Sequence, residues 1–251
     1  MTTGIESNVG GLEYQVDVSV LLLLDRLLHG GAGSVVIEPR CGSDAAASYP
    51  SDDSGDSDET PGALLYAISA GCREVLQVKG KRHQHWTLGQ FTKGVLGKVL
   101  EDDPGRASVA ELLTRDQSVW LTFATNASVS SDLAALVCGA DGDISATRPG
   151  SRSAWDDSDL GPIRAASGAV NRVRICQHLA RAASQESAKR ILREQGVPAH
   201  IAESAWQELH DVTWGYLEKG GVVTREWLAE AVERWQCRPP RDKVAFVKPP
   251  L

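Results

Sequence analysis

The sequence predicts an α/β fold, a mixed sheet flanked by helices and followed by an all-helical lobe. Three observations predict it. Short β-branched runs alternate with helical apolar spacing up to about residue 138. A Gly-, Ser-, Asp- and Pro-rich stretch from Asp141 to Gly161 reads as a linker. Beyond it the apolar spacing is helical throughout. The expected organisation is therefore a core over 1–140, a linker over 141–161, a helical lobe over 162–238 and an irregular tail over 239–251. With 251 residues, 42% of them hydrophobic, the chain can bury one good-sized core plus a smaller lobe.

Each element has a local reason. Residues 1–9 form a polar leader. An apolar helix then runs to Leu28 and stops at His29-Gly30-Gly31, where glycine accepts the left-handed turn. Ser34 to Glu38 carries the β-branched content of a buried strand, closed by Pro39. Arg40 to Asp44 is a turn, Ala45 to Tyr49 a second, weak strand, and Pro50 to Gly62 a surface loop rich in turn formers. The acids of that loop lack the spacing of a calcium-binding loop. Ala63–Ser69 and Cys72–Lys79 read as a hairpin closed by Ala70-Gly71. Thr87 caps a helix that presents Leu88, Phe91, Val95 and Val99 on one face, and Ser108 to Glu111 is a capping box. Ser118 to Thr125 is a strand and Ser130 to Cys138 a helix. Later helices are expected over 165–183, 186–194, 199–217 and 225–235, the last capped by Thr224. The tail ends abruptly, so the chain reads as a piece of something longer.

Composition excludes several classes. No apolar run is long enough to span a bilayer, and no secretory signal opens the chain. The five cysteines are odd in number, scattered, and form no Cys-x-x-Cys pair. That argues against a disulfide framework and a zinc site and suits a reducing cytoplasm. The net charge of −7 is unevenly spread. Seven acids stand against Arg40 from Glu38 to Glu59, and six bases stand against Glu74 from Arg73 to Lys98. Seven more bases stand against Glu186 from Arg164 to Arg193. Acids with basic flanks are what a metal-dependent enzyme acting on a polyanion requires, although solvated faces give the same pattern.

The stretch Gln77-Val78-Lys79 ends a buried strand. Side chains two apart on a strand share a face, so its amide and ammonium stand side by side. Glu38 ends another strand, and Asp44 follows it. Hydrolysis of a phosphodiester needs a cation to polarise the phosphoryl oxygen and activate a water. Magnesium takes hard oxygen ligands, so one or two carboxylates plus an amide oxygen suffice. A lysine beside them stabilises the extra charge on phosphorus.

The order Gly11-x-x-Tyr14-Gln15, Glu38 and an Asp, Gln77-Val78-Lys79, and Phe123-Ala-Thr125-Asn126 resembles the PD-(D/E)XK nuclease superfamily. More narrowly, it is similar to the Gln-x-Lys double-stranded DNA endonuclease domain found as an effector in bacterial antiphage systems, including cyclic-oligonucleotide ones. Val223-Thr224-Arg225-Glu226-Trp227-Leu228 is similar to the late part of that domain. The resemblance implies a restriction-endonuclease-like sheet and a cytoplasmic, magnesium-dependent DNA endonuclease, with manganese as an alternative ion. Asp44 and Gln77, with Glu38, would hold the metal; Lys79 would be the catalytic lysine and Gln15 a supporting residue. Were the strand facing Gln77-Val78-Lys79 to be Ala63–Ser69, Asp56, Asp58 or Glu59 could take the place of Asp44. Lys81, Arg82, Arg172 and Arg174 are read as contacts to double-stranded DNA. A sensor or oligomerisation partner is implied, with a homo-oligomer as the active form. The rival reading is a nuclease-like fold kept as a DNA-binding or assembly module. His83 and His85 read as a solvated loop, and the tryptophans at 206, 214, 227 and 235 as core.

Overall fold

A computed structural model of the chain describes residues 3–39, 62–81, 85–100, 107–139, 141–149 and 170–239, with side chains from residue 11 onward in the first helix. Asp44, Asp56, Asp58, Glu59 and Arg82, with the expected strand over Ala45–Tyr49, lie outside the described residues.

Helix α1 (Thr3–Leu24) runs into a π-turn (Asp25–His29) and leads to β1 (Ser34–Ile37). Strands β2 (Ala63–Ser69) and β3 (Cys72–Val78) follow, then α2 (Leu88–Phe91), which continues as a second π-turn (Thr92–Leu96). Next come α3 (Val109–Arg115), β4 (Val119–Ala124), β5 (Val173–Cys176), α4 (Arg181–Glu194), α5 (Ala199–Lys219), β6 (Gly221–Thr224) and α6 (Arg225–Gln236). The sheet order is β5-β4-β3-β2-β1-β6. β6, β1, β2 and β3 are antiparallel neighbours, whereas β4 and β5 add in parallel. Ala70-Gly71 closes the β2–β3 hairpin, and Gly71 takes φ +80°, a conformation that glycine adopts without steric cost.

The alternation of β3 sorts two cores. Leu76 and Val78 face the layer of α1, α4, α5 and α6. Val75 faces the layer of α2, its π-turn and α3, with Phe91, Leu113 and Phe123. Helix α1 is apolar nearly all round because it lies between the sheet and the later helices; Leu21, Leu22, Leu23, Leu24 and Leu27 are fully buried. Each buried leucine contributes about 1.5–3 kcal/mol.

Three expectations differ from the fold. Residues 173–176 form β5 inside the segment read as a helix, and residues 221–224 form β6 where only a break was read. β5 and β6 are four-residue strands whose hydrogen-bond partners, β4 and β1, are remote in sequence. Local periodicity does not register such partners. The sheet thus draws strands from both sides of 141–161, and α4 and α5 pack on α1. Ser131–Leu136 is a 3-10 helix rather than an α-helix.

On the α1 side lies a buried ion network. Arg26, 1% exposed, donates Nε to Glu74 Oε2 at 2.8 Å and Nη2 to Glu74 Oε1 at 2.9 Å. It also donates to Asp25 and to Thr147 Oγ1. Arg148 donates to Asp25 from the rim, and Thr122 Oγ1 donates to Glu74 at 2.6 Å. Burial would raise the Asp25 carboxyl, but the Arg148 and Arg26 guanidiniums outweigh it and hold it below the usual carboxylate range.

Candidate active site

Gln77 and Lys79 share the parity of Val75, so both face the α2 layer. Gln77 is 2% exposed. Its Nε2 donates to the Gly94 carbonyl at 3.3 Å, and Lys79 Nζ donates to the same oxygen at 3.0 Å. Gln77 Oε1 is buried and accepts no hydrogen bond among the described residues. The amide and ammonium expected side by side therefore meet, and the pair leaves one acceptor unsatisfied. A buried acceptor without a donor carries a desolvation cost of about 1–3 kcal/mol.

The Trp86 ring lies beneath this corner. Lys79 Nζ is 5.8 Å and Lys81 Nζ 5.3 Å from its centroid, in cation–π reach. Trp86 Nε1 donates to Thr125 Oγ1 at 3.0 Å, and the ring meets Phe123 edge-on. Thr125-Asn126, at the end of β4, thus braces the lysines from below. Asn126 Oδ1 accepts the Lys81 backbone N–H at 2.8 Å. Gly80 has Tyr14 from α1 on one side: a Cβ there would lie 3.1 Å from Tyr14 Cδ1 and 3.7 Å from Asn126 Oδ1. Burial raises the Tyr14 hydroxyl well above its ordinary value, so it stays neutral. Three segments far apart in sequence, at Tyr14, at Gln77–Lys81 and at Thr125-Asn126, converge here.

The strand facing Gln77-Val78-Lys79 is Ala63–Ser69, with Ala63 opposite Val78 and Leu64 opposite Gln77. The chain enters β2 against Lys79, since a Cβ on Gly62 would lie 2.6 Å from Lys79 Cγ. Glu38 follows β1 two strands from Gln77 on the same face, with Leu64 between them. Strand spacing puts their Cα atoms about 10 Å apart. The Glu38 carboxylate accepts the Tyr66 hydroxyl, one row further from Lys79. Gln15 is fully buried on α1, in the layer on the opposite side of the sheet.

The residues read as DNA contacts have other occupations. Lys81 is 3% exposed and donates Nζ to Gln90 Oε1 at 2.9 Å. Arg172 ties down the carbonyls of Leu113, Asp116 and Val119. Arg174 is 3% exposed, lies 5.2 Å over the Trp120 ring, and donates to the Asn171 carbonyl. The printed bonds of both guanidiniums thus run to carbonyls of the fold, three from Arg172 and two from Arg174 Nη1. The sequence reading missed Trp86, Gln90 and Gly94. Thr87-x-x-Gln90 was legible as a capping box, but the Lys81 bond of Gln90 comes from tertiary packing.

Among the described residues, no three His, Cys, Asp or Glu side chains stand close enough together to hold a metal. Magnesium needs fewer protein ligands, and they must be oxygens. Gln77 Oε1 meets that chemistry, being buried, uncharged and without a donor. Also among the described residues, no helix is long and apolar enough to cross a membrane.

No protein-family model matches the chain, and no curated protein matches it in sequence. Solved structures match it in fold. A Cap4 SAVED/CARF-domain receptor of Acinetobacter baumannii, bound to the cyclic trinucleotide 3'3'3'-cAAA, superposes with a TM-score of 0.50 at 11% identity. That match covers 92% of this chain and 47% of the receptor. The same receptor with 2'3'3'-cAAA gives 0.49 at 11% identity, covering 90% and 45%. A further structure of the receptor gives 0.48 at 12%, covering 92% and 49%. The chain thus spans about half the length of these receptors.

Proposed function

We propose that the chain is the nuclease part of a bacterial antiphage defence protein, a magnesium-dependent endonuclease that hydrolyses phosphodiester bonds of double-stranded DNA. The observation that carries this reading is the meeting of Gln77 and Lys79 at the end of β3, with an unsatisfied Gln77 Oε1 beside an ammonium.

Gln77 would offer its carbonyl oxygen to the ion. Because Ala63–Ser69 faces β3, the acids ahead of β2 in sequence, Asp56, Asp58 and Glu59, become stronger candidates than Asp44 for the carboxylate ligand. Glu38 would join through reorientation away from Tyr66. A bound magnesium would polarise a phosphoryl oxygen and lower the pKa of an attacking water. Lys79 would stabilise the charge that gathers on the phosphorus oxygens in the transition state. Trp86 and Gly94 both hold its ammonium, so little reorganisation is needed at that moment. In this reading the activity is restrained by a sensor region or a partner chain and released on homo-oligomerisation. A cyclic oligonucleotide is the candidate signal, by analogy with the receptors of similar fold.

The test is plasmid cleavage with magnesium or manganese. Lys79→Ala is expected to lose at least about 100-fold in rate, the scale of one lost transition-state charge partner. Asn or Gln at each of positions 44, 56, 58 and 59 would identify the acid. Equal cutting by wild type and Lys79→Ala sinks the assignment. The binding or assembly module is the second reading, in keeping with the fold shared with a receptor solved with a bound cyclic trinucleotide. It predicts DNA binding that survives chelation, with no cleavage.

A further inference from the structure

Resting on the endonuclease reading, we infer that the π-turn after α2 is the positioning element of the site. Its Gly94 carbonyl, which takes no backbone donor among the described residues, orients the Gln77 amide and anchors the Lys79 ammonium.

In an α-helix, each interior carbonyl accepts the N–H four residues on. Over Thr92–Leu96 the turn is one residue wider, and the Gly97 N–H reaches the Thr92 carbonyl at 2.8 Å. Lys98 N–H, the α-helical donor for Gly94, goes instead to Val95 at 3.4 Å. Among the described residues, no backbone N–H then serves the Gly94 carbonyl. A half-buried carbonyl seeks a donor, and the two donors it receives are Gln77 Nε2 and Lys79 Nζ. Gly94 lies in the last turn before the Gly97 C-cap, where helix carbonyls have no intrahelical donor and take side-chain donors instead.

The consequence for Gln77 is directional. An amide has one donating and one accepting end. With Nε2 bound to Gly94, Oε1 must point away from the turn, and there it is buried without a donor. The turn therefore selects which end of the amide a cation meets. The turn itself is fixed at both ends. Gln90 closes the Thr87 capping box and accepts Lys81 Nζ, Phe91 meets Phe123 edge-on, and Val95 and Leu96 are buried. Gly94 touches no reacting atom and acts through Gln77 and Lys79.

The carbonyl can be watched directly. Labelling glycine at its carbonyl carbon and valine at its nitrogen marks three peptide bonds, Gly94-Val95, Gly196-Val197 and Gly221-Val222. Lys79→Ala and Gln77→Met are each expected to move the Gly94 carbonyl resonance upfield as a donor is lost, leaving the other two in place. A Gly94 resonance unmoved in both variants overturns the inference, whether or not the protein cuts DNA. The second arm deletes Lys93, an exposed residue of the turn, to restore an α-helical register. In a folded deletion variant the Gly94 resonance should no longer respond to Lys79→Ala, and plasmid cleavage should fall at least tenfold with a raised magnesium midpoint. Wild-type cleavage and midpoint in that variant overturn the positioning role. If the deletion variant does not fold, the two substitutions decide. Loss of cleavage is diagnostic only if wild type cuts; the carbonyl response stands without it.

Discussion

Replacing Glu74 with leucine strands the guanidinium of Arg26 in the core. Arg26 would lose two charge-assisted bonds, at 2.8 and 2.9 Å, while staying 1% exposed with Asp25, Thr147 and the Ile144 carbonyl as remaining acceptors. Breaking one side of a buried pair costs about 3–5 kcal/mol. At about 2–4 °C per kcal/mol for a chain of this size, Tm falls by about 6–20 °C. Arg26→Met should cost as much, since it leaves the Glu74 carboxylate at 2% exposure with Thr122 as a donor. The double variant is the sharper case. Asp25 keeps Arg148, and Thr147 Oγ1 keeps the Ile144 carbonyl at 2.7 Å. Only the Thr122 hydroxyl is left poorly served, at about 1 kcal/mol. The double variant should therefore lie within about 2 kcal/mol of wild type, because neither charge remains to be desolvated. Urea unfolding followed by circular dichroism measures all four proteins. If the double variant loses the sum of the two single losses, the network is not a coupled pair and the reasoning fails.

Asp25 sets an acid limit. Its folded carboxyl lies below the ordinary value, because the Arg148 and Arg26 guanidiniums overcome the upward push of burial. Its contribution is therefore present above the unfolded pKa of about 3.9 and lost as pH falls through the folded value. The urea midpoint should drop below about pH 4 and do so less steeply in Arg148→Met. Burial pushes the Cys176 thiol up to about 12 and raises Cys138 as well, whereas Cys237 is exposed. Under native conditions iodoacetamide should therefore label Cys237 and spare Cys176 and Cys138, as read by mass spectrometry; labelling of Cys176 at the Cys237 rate would contradict that burial. Gly62→Ala puts a methyl 2.6 Å from Lys79 Cγ and 2.9 Å from the Val78 carbonyl. Cleavage should fall about tenfold or more while far-ultraviolet dichroism is kept, and an unchanged rate would show that Lys79 can move freely.

The sequence by itself determined the elements whose reasons are local. The hairpin at Ala70-Gly71, the caps at Thr87, Ser108 and Thr224, and the shared face of Gln77 and Lys79 follow from turn chemistry and strand period. Only the tertiary structure decided what needed a remote partner. Strands β5 and β6 exist because β4 and β1 offer open edges, and four residues of Val-Arg-Ile-Cys or Gly-Val-Val-Thr carry too little pattern to announce that. The charge of Arg172 and Arg174 is visible in sequence, whereas the carbonyls to which they donate are not. Tyr14, Gly80 and Asn126 are adjacent only after folding. The carbonyl that holds the Gln77–Lys79 pair is a backbone group in the last turn of a helix, and backbone groups leave no mark on residue type.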